Sequence, residues 1–94
     1  MLTDKQMLEI ANKYVQQLKR QMNIELEIPK EFLRKKYGNI YDYVGKNRRL
    51  AGNAPFLVEN MTGKIVGFGT GDSIEYYIAE YEAGRWPEIS LKKS

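Results

Sequence analysis

The first 22 residues carry an apolar stripe at helical spacing, and an amphipathic helix of this kind needs a second apolar surface to cover it. Thr3 followed by Gln6 has the form of a capping box, which satisfies backbone amide donors at a helix start. Asn23 is predicted to end the helix. The stripe consists of Met7, Ile10, Ala11, Tyr14, Leu18 and Met22.

The middle of the chain is predicted to supply that second surface as a sheet. One segment alternates aliphatic residues with glutamates, as a strand with one solvent-facing side does. Another is almost continuously apolar, which indicates a central strand, and a turn containing Gly63 at positive φ leads into the returning strand. For residues 30–37 a short helix, a hairpin arm and an irregular connection all fit, and we favour the irregular connection. The four predicted strands are 24–28, 39–44, 55–59 and 64–68.

A final helix is predicted after Asp72 or Ser73, either of which can cap it, and Gly84 is predicted to follow its end. Its apolar face consists of Ile74, Tyr77, Ile78 and Tyr81. The order α-β-β-β-β-α indicates an α+β fold, with an antiparallel four-stranded sheet packed against the N-terminal and C-terminal helices. We expect both helices on one face of the sheet and solvent on the other. Residues 1–94 are interpreted as one domain, in which 85–94 form a short C-terminal tail.

The residue types present exclude much of catalysis, because the chain contains neither cysteine nor histidine. Disulfides, Cys/His zinc sites and nucleophile–histidine pairs are therefore impossible. The glycines at 67, 69 and 71 do not have the spacing of a dinucleotide-binding loop, and Asp72 would repel a phosphate there. Ser73 follows a Gly-Asp pair as some esterase nucleophiles do, but no histidine can take its proton. We expect neither enzymatic activity nor a cofactor.

The distribution of apolar residues also predicts the compartment. No apolar run approaches the roughly 20 residues that a membrane span needs, and no signal peptide is recognisable at the N-terminus. We expect a cytoplasmic protein with no membrane partner.

Residues 30–49 form a basic segment, with seven lysines or arginines against two acidic residues, whereas residues 72–84 carry four acidic residues and no basic one. Tyrosines interleave the basic residues. Such a segment can be a solvated hairpin, a face for a protein partner, or a single-strand nucleic-acid site in which tyrosines stack on bases. The formal net charge of +3 is low for a dedicated nucleic-acid binder, which disfavours the last reading. The candidate partner-binding residues are Arg34, Lys36, Tyr37, Tyr41, Tyr43, Arg48 and Arg49.

A succession of short motifs resembles the immunity protein 35 family, also called the YrhB-like domain. The motifs are LAGNAPFLV at 50–58, TGKI at 62–65, GT at 69–70, EYYI at 75–78 and YE at 81–82. The resemblance extends more loosely to the N-terminal helix and to residues 37–44, and it departs from the family in the short, basic stretch before residue 50. The motif residues, for which we expect mainly structural roles, are Leu50, Gly52, Asn53, Pro55, Gly63, Gly69, Thr70, Tyr77 and Tyr81.

The resemblance implies a small cytoplasmic antidote that binds a cognate toxin of a bacterial polymorphic toxin system and neutralises it by stoichiometric occlusion. It implies no catalysis and no cofactor. Two alternatives remain at this stage: a nucleic-acid-binding module that uses segment 30–49, and a general protein-interaction or stabilising domain.

Overall fold

The computed structural model describes residues 1–46 and 54–87. Within these residues the α+β class is confirmed, but the strands form two antiparallel sheets and not one. The elements are α1 (Asp4–Met22), β1 (Leu26–Glu27), β2 (Leu33–Lys35), β3 (Gly38–Tyr41), β4 (Val44–Gly45), β5 (Phe56–Glu59), β6 (Ile65–Gly67) and α2 (Ile74–Glu82). A four-stranded sheet has the order β2-β3-β5-β6, and a separate two-stranded sheet pairs β1 with β4.

The predicted strand 39–44 is divided between the two sheets. The Asp42 carboxylate accepts a hydrogen bond from the Tyr43 backbone amide at 2.8 Å. This local bond competes with the ladder of a regular strand, so β3 ends at Tyr41 and the chain resumes as β4. There Val44 pairs with Glu27 of β1. The alternating segment 24–28 is half-buried as predicted, but only Leu26–Glu27 form a strand, and that strand belongs to the small sheet.

Residues 30–37 contain a hairpin arm, so the expected irregular connection is wrong. β2 pairs with β3 in the register Leu33 opposite Ile40 and Lys35 opposite Gly38. β3 in turn pairs with β5, the central apolar strand. A Cβ atom on Gly38 would lie 2.1 Å from the carbonyl oxygen of Val58. Glycine at this position therefore lets β3 approach β5.

The two helices lie on opposite faces of the four-stranded sheet, which corrects the expectation of a single covered face. Neighbouring side chains of β5 point to opposite faces: Phe56 and Val58 pack with α1, and Leu57 packs with α2. The buried core on the α1 side consists of Met7, Ala11, Val15, Leu26, Tyr41, Tyr43, Phe56 and Val58. The buried core on the α2 side consists of Ile40, Leu57, Val66, Phe68 and Tyr77.

The predicted helix boundaries are confirmed by their capping contacts. Thr3 and Gln6 form the reciprocal capping box at the start of α1, and Asn23 ends that helix at a φ of 57°. The Ser73 side chain accepts a hydrogen bond from the Tyr76 backbone amide at 3.2 Å, which makes Ser73 the cap of α2. Gly84 follows that helix at a φ of +79°.

Candidate functional site

An open groove of about 760 Å³ runs between the N-terminal half of α1 and residues 26–34. We call it the α1 groove. The buried side chains of Leu26 and Tyr41 form its floor. Its apolar walls are Leu8, Ile28, Pro29 and Phe32, and the polar residues that line it are Asp4, Lys5, Asn12, Glu27, Lys30 and Arg34. A volume of this order is typical of sites that bind ligands or inserted side chains.

Two wall residues of the groove are exposed although they are large and apolar. Leu8 is 42% exposed and Phe32 is 36% exposed, and neither is one of the buried residues of the two cores. The ring of Phe32 lies against that of Tyr41, with the ring centres 5.3 Å apart, and the Arg34 guanidinium lies 5.6 Å from the Phe32 ring centre. Phe32 is thus held in place from both sides while its surface stays open to solvent.

Asp4 fixes one end of the groove. Its carboxylate forms an ion pair with Arg34 of β2 and accepts a hydrogen bond from the side-chain amide of Asn39 at 3.1 Å. Asn39 is only 1% exposed, and the same amide nitrogen also donates to the Tyr41 hydroxyl at 3.2 Å. Burial raises the pKa of the Tyr41 hydroxyl above its ordinary value of 10.0. These contacts join the start of α1 to β2 and β3, and the groove is preorganised.

Among the charged residues that line the groove, the cations without an ion pair in the described part of the chain outnumber the anions without one. The charge of Arg34 is matched by Asp4. Within residues 1–46 and 54–87, neither Lys5 nor Lys30 forms an ion pair, and the same holds for Glu27. Two uncompensated cations therefore face one uncompensated anion along the groove.

The structure separates the candidate residues that the sequence grouped together. Arg34 lines the groove, and Lys36 is exposed in the β2–β3 turn. Tyr41 and Tyr43 are 2% and 7% exposed, so neither presents an exposed ring to a partner as its selection as a partner-binding residue required. Both belong to the core on the α1 side, because the chain there lies beneath α1. Arg48 and Arg49 lie outside the described residues.

Tyr37 belongs to a third environment, at the C-terminal end of α2. Its hydroxyl donates to the Glu82 carboxylate at 2.7 Å, and its ring centre lies 4.8 Å from that of Tyr81. Lys35 lies 3.9 Å from the same carboxylate. Glu82 of α2 therefore neutralises part of the positive charge of the basic segment within the molecule.

Several residues of the family motif have structural roles. The Pro55 carbonyl accepts a backbone hydrogen bond from Phe68 at 2.8 Å, and Gly63 has a φ of +77° in the β5–β6 turn. Gly69 lies against the buried ring of Tyr77. Tyr81 donates to Glu59 at 2.7 Å. Thr70 is exposed in the loop before α2, and Leu50, Gly52 and Asn53 lie outside the described residues.

Sequence reasoning missed the groove itself. Leu8 lies off the predicted apolar stripe of α1, and Phe32 lies beside Leu33 among the charged residues of 30–36. Apolar residues that no predicted core face includes are the signal that could have indicated an exposed apolar surface.

In residues 1–46 and 54–87, no group of three or more acidic side chains is placed to hold a metal ion. Neither α1 nor α2, the two helices seen in 1–46 and 54–87, is both long and apolar enough to cross a lipid bilayer. The α1 groove is a concave apolar surface bordered by charged side chains, and a surface of this kind is suited to binding.

Comparison with known proteins finds one local likeness. A stretch of 34 residues is 47% identical to the uncharacterized protein YrhB of Escherichia coli K-12. The matched stretch covers 36% of this chain and 36% of YrhB. No protein-family model and no solved structure matches the chain. Part of the chain is therefore YrhB-like.

Proposed function

We propose that this chain is an immunity protein of the immunity protein 35 family, which binds a cognate bacterial toxin and neutralises it by stoichiometric occlusion. The observation that carries the binding part of the proposal is the exposed but fixed ring of Phe32 in the α1 groove. A preorganised aromatic side chain loses little conformational entropy on association, and such residues dominate the affinity of interfaces.

The toxin part of the proposal has a different support. The motifs between residues 50 and 82 resemble the immunity protein 35 family, and the likeness to YrhB agrees with a YrhB-like sequence in part of the chain. Because Pro55, Gly63, Gly69, Tyr77 and Tyr81, which are motif residues that the structure describes, have structural contacts, the partner would meet other side chains. The α1 groove supplies exposed ones, with cations at its border that can steer an acidic partner.

The test is co-expression and co-purification of this chain with the product of the adjacent upstream gene, followed by titration calorimetry. We expect a one-to-one complex and suppressed toxicity of the partner. Phe32→Ser should weaken the affinity at least tenfold, or about 1.4 kcal/mol. The matched control is Met61→Ser, because Met61 is 73% exposed in the β5–β6 turn and does not line the groove.

Different results would contradict the toxin part and the binding part of the proposal. If the upstream product forms no complex, or forms one without loss of toxicity, the immunity function is wrong. If the complex forms and Phe32→Ser binds as the unaltered chain does, the groove is not the interface. The exchange Arg48→Glu with Arg49→Glu then tests the basic stretch before residue 50, and slower association is the result expected if these charges steer the partner.

The nucleic-acid alternative loses support from the burial of Tyr41 and Tyr43, since buried rings cannot stack on bases. It predicts binding to single-stranded oligonucleotides that falls steeply with the logarithm of the salt concentration. We expect no such binding at low salt, which a fluorescence anisotropy titration measures.

A further inference from the structure

We infer that the α1 groove receives about two turns of an acidic amphipathic helix. This inference rests on the proposed function, because it names the kind of segment by which the toxin would be held.

The length and direction of the groove fit a helix. One wall contains Asp4, Leu8 and Asn12, which follow one another at intervals of four along α1 and form a continuous ridge. At a rise of about 1.5 Å per residue this ridge extends for about 12 Å, or slightly more than two turns. Residues 26–32 form the opposite wall. A second helix can pack beside a ridge of this spacing.

The apolar interior fits the apolar stripe of such a helix. Leu8 lies on the α1 wall, and Ile28, Pro29 and Phe32 lie on the other, above the buried floor of Leu26. A helix bound in a groove inserts side chains three or four positions apart. Over two turns this gives two or three apolar side chains that face the walls.

The charges determine which residues should flank that stripe. Lys5 lies on the α1 wall and Lys30 on the opposite wall, and neither has an ion pair among the described residues. Carboxylates on both sides of the apolar stripe would each meet a lysine. Arg34 is engaged by Asp4, and Glu27 is the single acidic residue that would oppose an acidic ligand. An acidic helix is thus favoured over a basic one.

The test uses two synthetic helical peptides with the same apolar stripe, one flanked by glutamates and the other by lysines. Each is titrated into the isotopically labelled chain, and amide chemical shifts are followed by NMR. We expect the glutamate peptide to bind at least fivefold more tightly and to shift the amides of Leu8, Ile28 and Phe32. Equal affinity of the two peptides, shifts confined to other regions, or no binding would overturn the inference.

A charge reversal makes the test specific. Lys5→Glu with Lys30→Glu should invert the preference, so that the lysine peptide binds more tightly. Lys13→Glu with Lys64→Glu is the matched control, since both lysines are exposed and outside the groove, and it should leave the preference in place. Unfolding curves of both double variants establish that they are folded. If the control variant also binds the lysine peptide more tightly, the preference depends only on the net charge of the protein, and the inference is overturned.

The tests distinguish failure of the helix-binding inference from failure of the proposed immunity function. If the toxin complex forms normally with the Lys5→Glu, Lys30→Glu variant, the toxin is held elsewhere and this inference falls while the immunity function stands. If the peptides behave as expected and the upstream product forms no complex, the groove is a helix-binding site and the immunity function falls.

Discussion

At the scale of single residues, Gly38 shows how one missing atom permits a strand pairing. Its place between β2 and β5 leaves no room for a side chain, since a Cβ atom would lie 2.1 Å from the Val58 carbonyl oxygen. From the sequence, Gly38 fits the end of a short helix over residues 30–37, which is one of the three alternatives and not the favoured one. The reason for the glycine is a contact with a residue 20 positions away, which no local pattern contains.

Gly38→Ala should therefore destabilise the protein. The added methyl group must push β3 away from β5, and overpacking of this kind costs about 1–3 kcal/mol, of which we expect the upper end. Urea denaturation measures the free energy of unfolding. Gly67→Ala is the matched control, because Gly67 also lies in a strand but its nearest contact would be the Tyr14 hydroxyl at 3.9 Å. A loss as large in the control as at Gly38 would contradict the steric explanation.

At the scale of elements, α2 packs on the sheet through Tyr77. The same side chain contacts the loop that precedes the helix. Tyr77 is 6% exposed, and its ring packs with Phe68 at 6.0 Å and with Trp86 at 4.8 Å between ring centres. A Cβ atom on Gly69 would lie 2.5 Å from the Tyr77 hydroxyl oxygen. The helix position thus depends on the absence of a side chain at residue 69.

Gly69→Ala should lower the free energy of unfolding by about 1–3 kcal/mol, since the Tyr77 ring is buried and has little room to move. Tyr77→Phe removes the oxygen that the new methyl group would meet. In the double variant the two effects should therefore not add, and Gly69→Ala should cost less than it does in the unaltered chain. A double-mutant cycle by urea denaturation measures the coupling, and strict additivity would contradict the proposed contact.

The elements differ in how far the sequence determines them. α1 could be predicted because its capping box, apolar stripe and terminal asparagine are all local signals. The two-residue strands β1 and β4 could not, because so short a segment carries no periodicity of its own. The hydrogen bond from the Tyr43 amide to the Asp42 carboxylate lies between β3 and β4, where the chain passes from one sheet to the other.

At the scale of the whole molecule, the placement of the helices and the groove follows from contacts distant in sequence. A strand with consecutive apolar residues, as at 56–58, is typical of a sheet covered on both faces, and this pattern could have predicted the opposite placement of α1 and α2. The groove could not be predicted, because it joins Leu8 to Phe32 across the α1–β1 turn.

Two tyrosine–carboxylate contacts attach the end of α2 to the rest of the fold, and they should make the protein sensitive to alkali. Burial, and then the hydrogen bond to Glu59, raises the pKa of Tyr81 from 10.0 to about 12. Burial and the bond to Glu82 likewise raise the pKa of Tyr37. The folded state therefore holds these protons more tightly than the unfolded state does.

For Tyr81, the stability due to this difference is complete below about pH 10 and is lost as the pH rises from 10 to 12. We expect the free energy of unfolding to fall with pH across this window, and to fall less steeply in the variant that carries Tyr37→Phe and Tyr81→Phe. Urea denaturation at a series of pH values measures the two slopes. Identical slopes would show that these tyrosines do not titrate differently on folding.

The position of Leu8 and Phe32 outside both cores has a consequence for how this fold can evolve. In the proposed complex, the wall residues that would meet the partner differ from the residues that maintain the folded state, apart from the shared floor of Leu26 and Tyr41. Under that proposal, substitutions at the walls should change which partner is recognised at little cost in stability. Related chains would then acquire new specificities one wall residue at a time, while selection on the sheet and its two cores stays constant.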